Sequence, residues 1–158
     1  MIHPNGFTDA EPPVRFYFNN VIGNPLETTI AVHYLIFDGV LERHPNLKIL
    51  AVHGGGYLAS YAGRIDHAWG ARSDSHGKAA ASTDQLPEDA FTSTRWCSPH
   101  TSCRSWCAST APIAIVMGTD YPFDMADYDP VGHVAACDFD AATTAAICGG
   151  NAKALLGL

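Results

Sequence analysis

Leu47-Lys48-Ile49-Leu50-Ala51-Val52 runs without interruption into His53-Gly54-Gly55-Gly56, and this junction decides the fold class. The first six residues are apolar apart from Lys48, partly β-branched, and too few for a helix, so they read as a buried strand. Three glycines then let the backbone turn sharply and let a ligand approach closely. A second junction of the same kind lies downstream. Ile113-Ala114-Ile115-Val116-Met117 delivers Gly118-Thr119-Asp120-Tyr121-Pro122. In parallel α/β folds, the polar residues just past strand C-termini are the ones that reach ligands. His53 and Asp120 both hold that position, and His3 shares it if a strand leads into Ile2.

Helical signals fill the intervals. Asn24-Pro25-Leu26-Glu27 reads as a helix start, with Asn24 as cap, Pro25 at the first position and Glu27 returning the capping bond. Leu26, Ile30, Ala31, Tyr34 and Leu35 then recur at helical spacing. A short helical piece over 39–43 ends at His44-Pro45, and a longer helix is expected over 57–69. Residues 71–89 are small, polar and charged and read as loop or weak helix. Residues 141–158 read as two helical turns broken at Gly149-Gly150. Strands alternating with helices imply an α/β fold with a parallel sheet in one compact domain.

Composition narrows the function. The net charge is −7 with nine Lys and Arg and no basic run, which disfavours nucleic acid and anionic membranes as partners. No apolar run approaches the roughly 18–20 residues needed to span a bilayer. The N-terminal residues lack the basic and apolar regions of a signal peptide, and five cysteines is an odd number. A cytoplasmic chain with reduced thiols is the expectation.

Each candidate has a bland reading beside the sharp one. A neutral imidazole at His53 can take or give a proton near pH 7, and it equally suits a histidine hydrogen-bonded at a tight turn. Asp120 suits a metal-ligand carboxylate or a turn cap. His3 is individually weak. His33, His44, His67 and His133 fall on helices or helix ends, where packing or solvent-facing roles prevail, and Asp38 and Asp66 read as structural.

Together the blocks Ile2-His3-Pro4-Asn5-Gly6, NVIGNPLETTIA, FDGVLERHPNLKILAVHGGG, GRIDHAWGARSD, GTDYPFDM and GGNAKALLGL resemble the aminocarboxymuconate-semialdehyde decarboxylase group of amidohydrolase-related proteins. The likeness covers nearly the whole chain except about residues 92–114. It implies the C-terminal part of a (β/α)8 barrel holding one divalent metal, commonly zinc and in some members manganese. It implies His3 and Asp120 as metal ligands and His53 as the acid/base acting on metal-bound water. It implies Arg64, which alone reads as a surface charge, as a substrate-carboxylate ligand acting across a homodimer interface. The reaction implied is carboxy-lyase chemistry on a small unsaturated or aromatic carboxylic acid, with hydrolysis on the same barrel as the alternative.

Two departures qualify that likeness. The family's opening strand carries a further His-x-His pair of ligands, and no such pair stands in this sequence. The site is therefore expected to be incomplete, and an inactive fragment is a second alternative. Residues 92–114, TSTRWCSPHTSCRSWCASTAPIA, hold three cysteines and two tryptophans without an acidic residue or a clean period. A divergent loop or a metal cluster of Cys97, His100, Cys103 and Cys107 would each account for this, though the spacing matches no familiar zinc pattern. The preferred reading is a compensated frameshift. With permitted synonymous codons, the shifted frame reads HIDTVVFTPHQLPELVREYGADR and joins Ile115 without a gap. On that reading the sheet lacks one strand between those ending at His53 and Asp120.

Overall fold

The computed structural model describes residues 1–4, 15–78, 91–95 and 115–158. Three strands, β1 (Ile49–Ala51), β2 (Phe91–Arg95) and β3 (Ile115–Met117), form a wholly parallel sheet in the order β1-β2-β3. Ile49 pairs with Phe91, and Ser93 with Ile115. On the outer side of β1, Ile2 forms a parallel bridge to Ala51. Its N–H donates to the Leu50 carbonyl (2.8 Å), and its own carbonyl accepts from the Val52 N–H (3.3 Å). Parallel strands need crossovers that cover the sheet with helices. Here α1 (Asn24–Phe37) and α2 (Val40–Arg43) lie between the Ile2 bridge and β1, α3 (Leu58–Ala71) lies between β1 and β2, and α4 (Pro130–Ala135), α5 (Ala141–Ala145) and α6 (Asn151–Leu156) follow β3.

Two apolar clusters hold helices against the two ends of the sheet. Val32, Ile36, Phe37 and Leu41 from α1 and α2 bury Ile49 and Ala51 of β1, with Leu58, Ile65 and Trp69 of α3 packed alongside. At the other end Ile115 of β3 packs with Val134 and Ile147. Among the described residues, no helix is long and apolar enough to cross a membrane.

Several expectations are corrected. The strand anticipated as missing is present in backbone form. β2 lies between β1 and β3 and satisfies the hydrogen-bonding groups of both neighbours, and the β-branched Thr92 and Thr94 suit a pleated backbone. The proposed cysteine–histidine cluster of Cys97, His100, Cys103 and Cys107 lies outside the described residues. Asn24 is no cap. A wide helical turn, Asn19–Gly23, precedes it, its own backbone is already helical, and its buried Oδ1 has no hydrogen-bond partner. The buried face of α1 is Thr28, Val32, Ile36 and Phe37, whereas Ile30 and Tyr34 are exposed. Gly149-Gly150 do not break the last helix. Residues Ala146–Gly150 form a wide turn that continues directly into α6, with Gly150 itself helical (φ −59°, ψ −46°). The sequence puts His133 on a helix or helix end without bounds, and α4 is that helix.

Candidate functional site

The bridge between Ile2 and β1 brings His3 and His53 out side by side at the C-terminal edge of the sheet. Their rings meet edge to face with centroids 5.0 Å apart. His3 Nδ1 lies 2.6 Å from the Pro4 carbonyl, which can only accept, so Nδ1 is the donor in this bond. His53 opens a tight turn, His53–Gly55, with a left-handed backbone (φ 55°). Its Nδ1 stands 3.1 Å from the hydroxyl of Thr28 on α1. Burial lowers the His53 pKa below its ordinary 6.5, and the neighbouring His3 lowers it further; Asp120 and the Asn24 carbonyl work in the opposite direction. The net effect is an imidazole that is neutral at pH 7, the form a general base requires.

Asp120 follows β3 by three residues, also in a left-handed backbone (φ 56°), with an exposed side chain. Its charge reaches both His53 and Tyr17. The loop that carries it is pinned at several points. The Asp120 carbonyl accepts from Phe123 N–H (2.9 Å), and the Thr119 carbonyl accepts from Asp127 N–H (2.7 Å). The Asp127 side chain is buried. Its Oδ1 accepts from Asp129 N–H at 2.9 Å and its Oδ2 faces His133 Nδ1 at 2.7 Å. Asp129 in turn caps α4, with Pro130 at the first turn.

Sequence reasoning overlooked Asp127, although the Asp129-Pro130 pair is a readable helix start and marks where the loop is anchored. It also missed Tyr17, whose hydroxyl donates to Asp124 Oδ1 at 2.8 Å and ties the turn before α1 to the loop after β3. That hydrogen bond, together with the negative charge of Asp124, raises the Tyr17 pKa above 10.0.

Arg64 borders a different surface feature. It lies on α3 beside a groove of about 430 Å³ lined also by His33, Tyr34, Phe37 and Ile65, and none of His3, His53 or Asp120 lines that groove.

The donors suit a divalent ion in kind but fall short in number. The donation of His3 Nδ1 to a backbone carbonyl leaves Nε2 as the nitrogen that could ligate, the arrangement found behind ligating histidines. Asp120 offers an exposed carboxylate. A catalytic zinc site uses three protein ligands. Among the described residues, no group of three or more His, Cys, Asp or Glu stands close enough to hold a metal ion.

Comparison with known proteins bears on the fold and the family. Over 163 aligned residues, the whole chain is 28% identical to a 2-amino-3-carboxymuconate-6-semialdehyde decarboxylase of Dictyostelium discoideum. It covers 44% of that protein, so the chain spans less than half the length of this relative. Among solved structures, the 5-carboxyvanillate decarboxylase of Sphingomonas paucimobilis superposes with a TM-score of 0.81 at 23% identity, over 99% of this chain and 48% of that one. A dihydroxybenzoic acid decarboxylase of Polaromonas, solved with manganese and the inhibitor 2-nitroresorcinol, superposes with a TM-score of 0.74 at 24% identity, over 86% of this chain and 41% of that one. The sheet described above is thus part of a (β/α)8 barrel. A family model for amidohydrolases matches residues 1–158, and the chain belongs to the amidohydrolase family.

Proposed function

We propose that the chain carries the C-terminal half of the active site of a metal-dependent carboxy-lyase acting on a small unsaturated or aromatic carboxylic acid. The observation that supports this reading is the edge-to-face contact of His3 and His53 at the sheet edge past which Asp120 also stands. His3 Nε2 and the Asp120 carboxylate are the donors for a divalent ion, zinc or the manganese seen in the Polaromonas enzyme. Such an ion, when bound, lowers the pKa of water and orients a carboxylated substrate. Replacing a C–CO2⁻ bond by C–H requires one proton at the carbon that loses CO2. His53, neutral and with Nε2 directed away from α1, is placed to hold and relay that proton. Arg64 matches a substrate carboxylate in bidentate fashion. On this reading Arg64, on α3, would serve the site of a neighbouring subunit in a homodimer.

A second reading rests on the donor count. With two ligands in place, the chain as it stands is an inactive half of such an enzyme, and residues 92–114 are aberrant. One experiment separates the readings. The chain is purified, loaded with Zn²⁺ or Mn²⁺, dialysed and assayed for metal and for CO2 release from aromatic and unsaturated carboxylic acids. Retained metal with CO2 release that is lost in His53→Asn supports the carboxy-lyase. Loss of metal and no CO2 supports the inactive half.

A further inference from the structure

Two adjacent threonines in the first turns of α1 hold the His53–Gly56 turn, and their hydroxyl protons have different destinations. Thr29 donates back to the Pro25 carbonyl at 2.8 Å, the usual local solution for a helical threonine, and its oxygen accepts from the Tyr57 N–H at 2.8 Å. Gly56 (φ 65°) packs so tightly on Thr29 and the Pro25 carbonyl that a Cβ has no room. Thr28 makes no such return bond. It is fully buried at 0% exposure, and among the described residues the one partner of its hydroxyl is His53 Nδ1 at 3.1 Å.

A hydroxyl carries a proton that needs an acceptor, and burial denies this one to water. With Nδ1 protonated, the ring would donate to the Thr28 oxygen and the Thr28 proton would be left buried without an acceptor. With Nδ1 unprotonated, the ring takes the Thr28 proton and both groups are satisfied. Leaving a buried donor unmade weighs against the first arrangement by about 5- to 150-fold. The Asn24 carbonyl stands near enough to act on the ring charge, but its alignment falls short of a hydrogen bond, and the α1 ladder already gives it the Thr28 N–H.

We propose that Thr28 is a positioning residue that donates to His53 Nδ1 and so holds the neutral ring in its Nε2–H form. Nε2 lies on the side of the ring away from α1. A neutral ring can serve as base or as donor, and this tautomer makes His53 a donor at the sheet edge it shares with His3. The group it fits is an oxygen with lone pairs and no proton to give, such as a substrate carboxylate, whereas an ammonium group finds no acceptor there. The inference rests on the carboxy-lyase reading only for what meets this N–H; the tautomer stands apart from it.

The test is the tautomer of His53, read by long-range ¹H–¹⁵N correlation NMR on the 158-residue chain without metal, at a pH above 7. Wild type and Thr28→Ser, which keeps the hydroxyl, are expected to show the Nε2–H form. Thr28→Val keeps the shape and removes the donor, and the ratio of Nε2–H to Nδ1–H should fall by at least about fivefold. A wild-type His53 in the Nδ1–H form overturns the inference whether or not the valine variant folds. So does an unchanged ratio in a folded Thr28→Val. Decarboxylation assays on the same samples, loaded with metal, address the other question. Missing turnover with the expected tautomers refutes the carboxy-lyase reading and leaves the role of Thr28 supported.

Discussion

Replacing Asp127 should cost more stability than any other single change in the loop that carries Asp120. Its side chain is 2% exposed and accepts two hydrogen bonds, from Asp129 N–H at 2.9 Å and from His133 Nδ1 at 2.7 Å. Hydrogen bonds to a charged group contribute about 1.5–3 kcal/mol each. The His133 side chain is 29% exposed, so water replaces part of its lost partner. Asp129 is itself exposed, so water also relieves part of the loss at its N–H. Asp127→Ala is therefore expected to cost about 2–4 kcal/mol, seen as a melting temperature lowered by roughly 5–15 °C. Asp127→Asn keeps an acceptor for Asp129 but turns an NH2 toward His133, which must change tautomer; about 1–2 kcal/mol is expected. Denaturant unfolding of both variants, with His133→Ala and the double variant, gives the coupling directly. A coupling of at least 0.5 kcal/mol is the range for residues in direct contact. If Asp127→Ala costs less than about 0.5 kcal/mol, like an ordinary surface change, the clamp does not exist.

Three further outcomes follow from the same geometry. The lowered pKa of His53 means that the unfolded chain takes up the proton first as pH falls; stability from this group is full above 6.5 and is lost as pH drops through the folded value. Denaturation curves across pH 5–8 should show that slope in wild type and a weaker one in His53→Asn, and equal slopes would remove His53 as the cause. Gly56→Ala should destabilise by about 1–3 kcal/mol, because its φ of 65° disfavours a side chain and Thr29 fills the space, and a neutral result would refute the tight approach. Finally, the codons for residues 92–114 should read, in the shifted frame, as an open strand-turn-helix sequence; a stop codon in that frame disposes of the frameshift.

The sheet and its polar edge were legible because they rest on runs of apolar residues ending in glycine or a polar residue. The strand around 47–52 shrinks to Ile49–Ala51, and Ile115–Met117, the described part of the run 113–117, is strand as the pattern has it. What failed was the helix phase. Periodicity assigns apolar residues to the core, yet α1 buries Thr28 and leaves Ile30 and Tyr34 in solvent, since the buried hydroxyl has a histidine partner that no local pattern reveals. Gly149-Gly150 misled for a related reason. Asn151, buried just beyond them, donates its Nδ2 to the Ile115 carbonyl at 2.7 Å and fixes the last helix on β3, so tertiary contact outweighs glycine's weak helix preference. β2 shows that a segment without amphipathic alternation still pairs when it lies between two parallel strands, where the backbone has a partner on each side. The Asp127–His133 clamp was invisible because its partners are recognisable only once the loop closes.

The backbone supplies an argument for the site that is independent of any family. Among the described residues, the non-glycine residues with positive φ are Phe16, Tyr17, His53, Asp120 and Asp138. Two of these, His53 and Asp120, stand just past strand ends at the same sheet edge. Such conformations cost about 1–2 kcal/mol each and persist where the surroundings hold them, which makes an observed outlier a pointer to function. If the left-handed turn at Asp120 served only the loop, glycine would serve it better. Asp120→Gly removes an exposed side chain, relieves the φ of 56°, and offsets part of that gain through the greater freedom of glycine in the unfolded state. It should leave stability unchanged or raise it by up to about 1 kcal/mol, while abolishing retention of Mn²⁺ or Zn²⁺ by any chain that retains it. A variant that loses more than about 0.5 kcal/mol would mean that the carboxylate is held for structure, and the case for Asp120 as a ligand would lose its independent support.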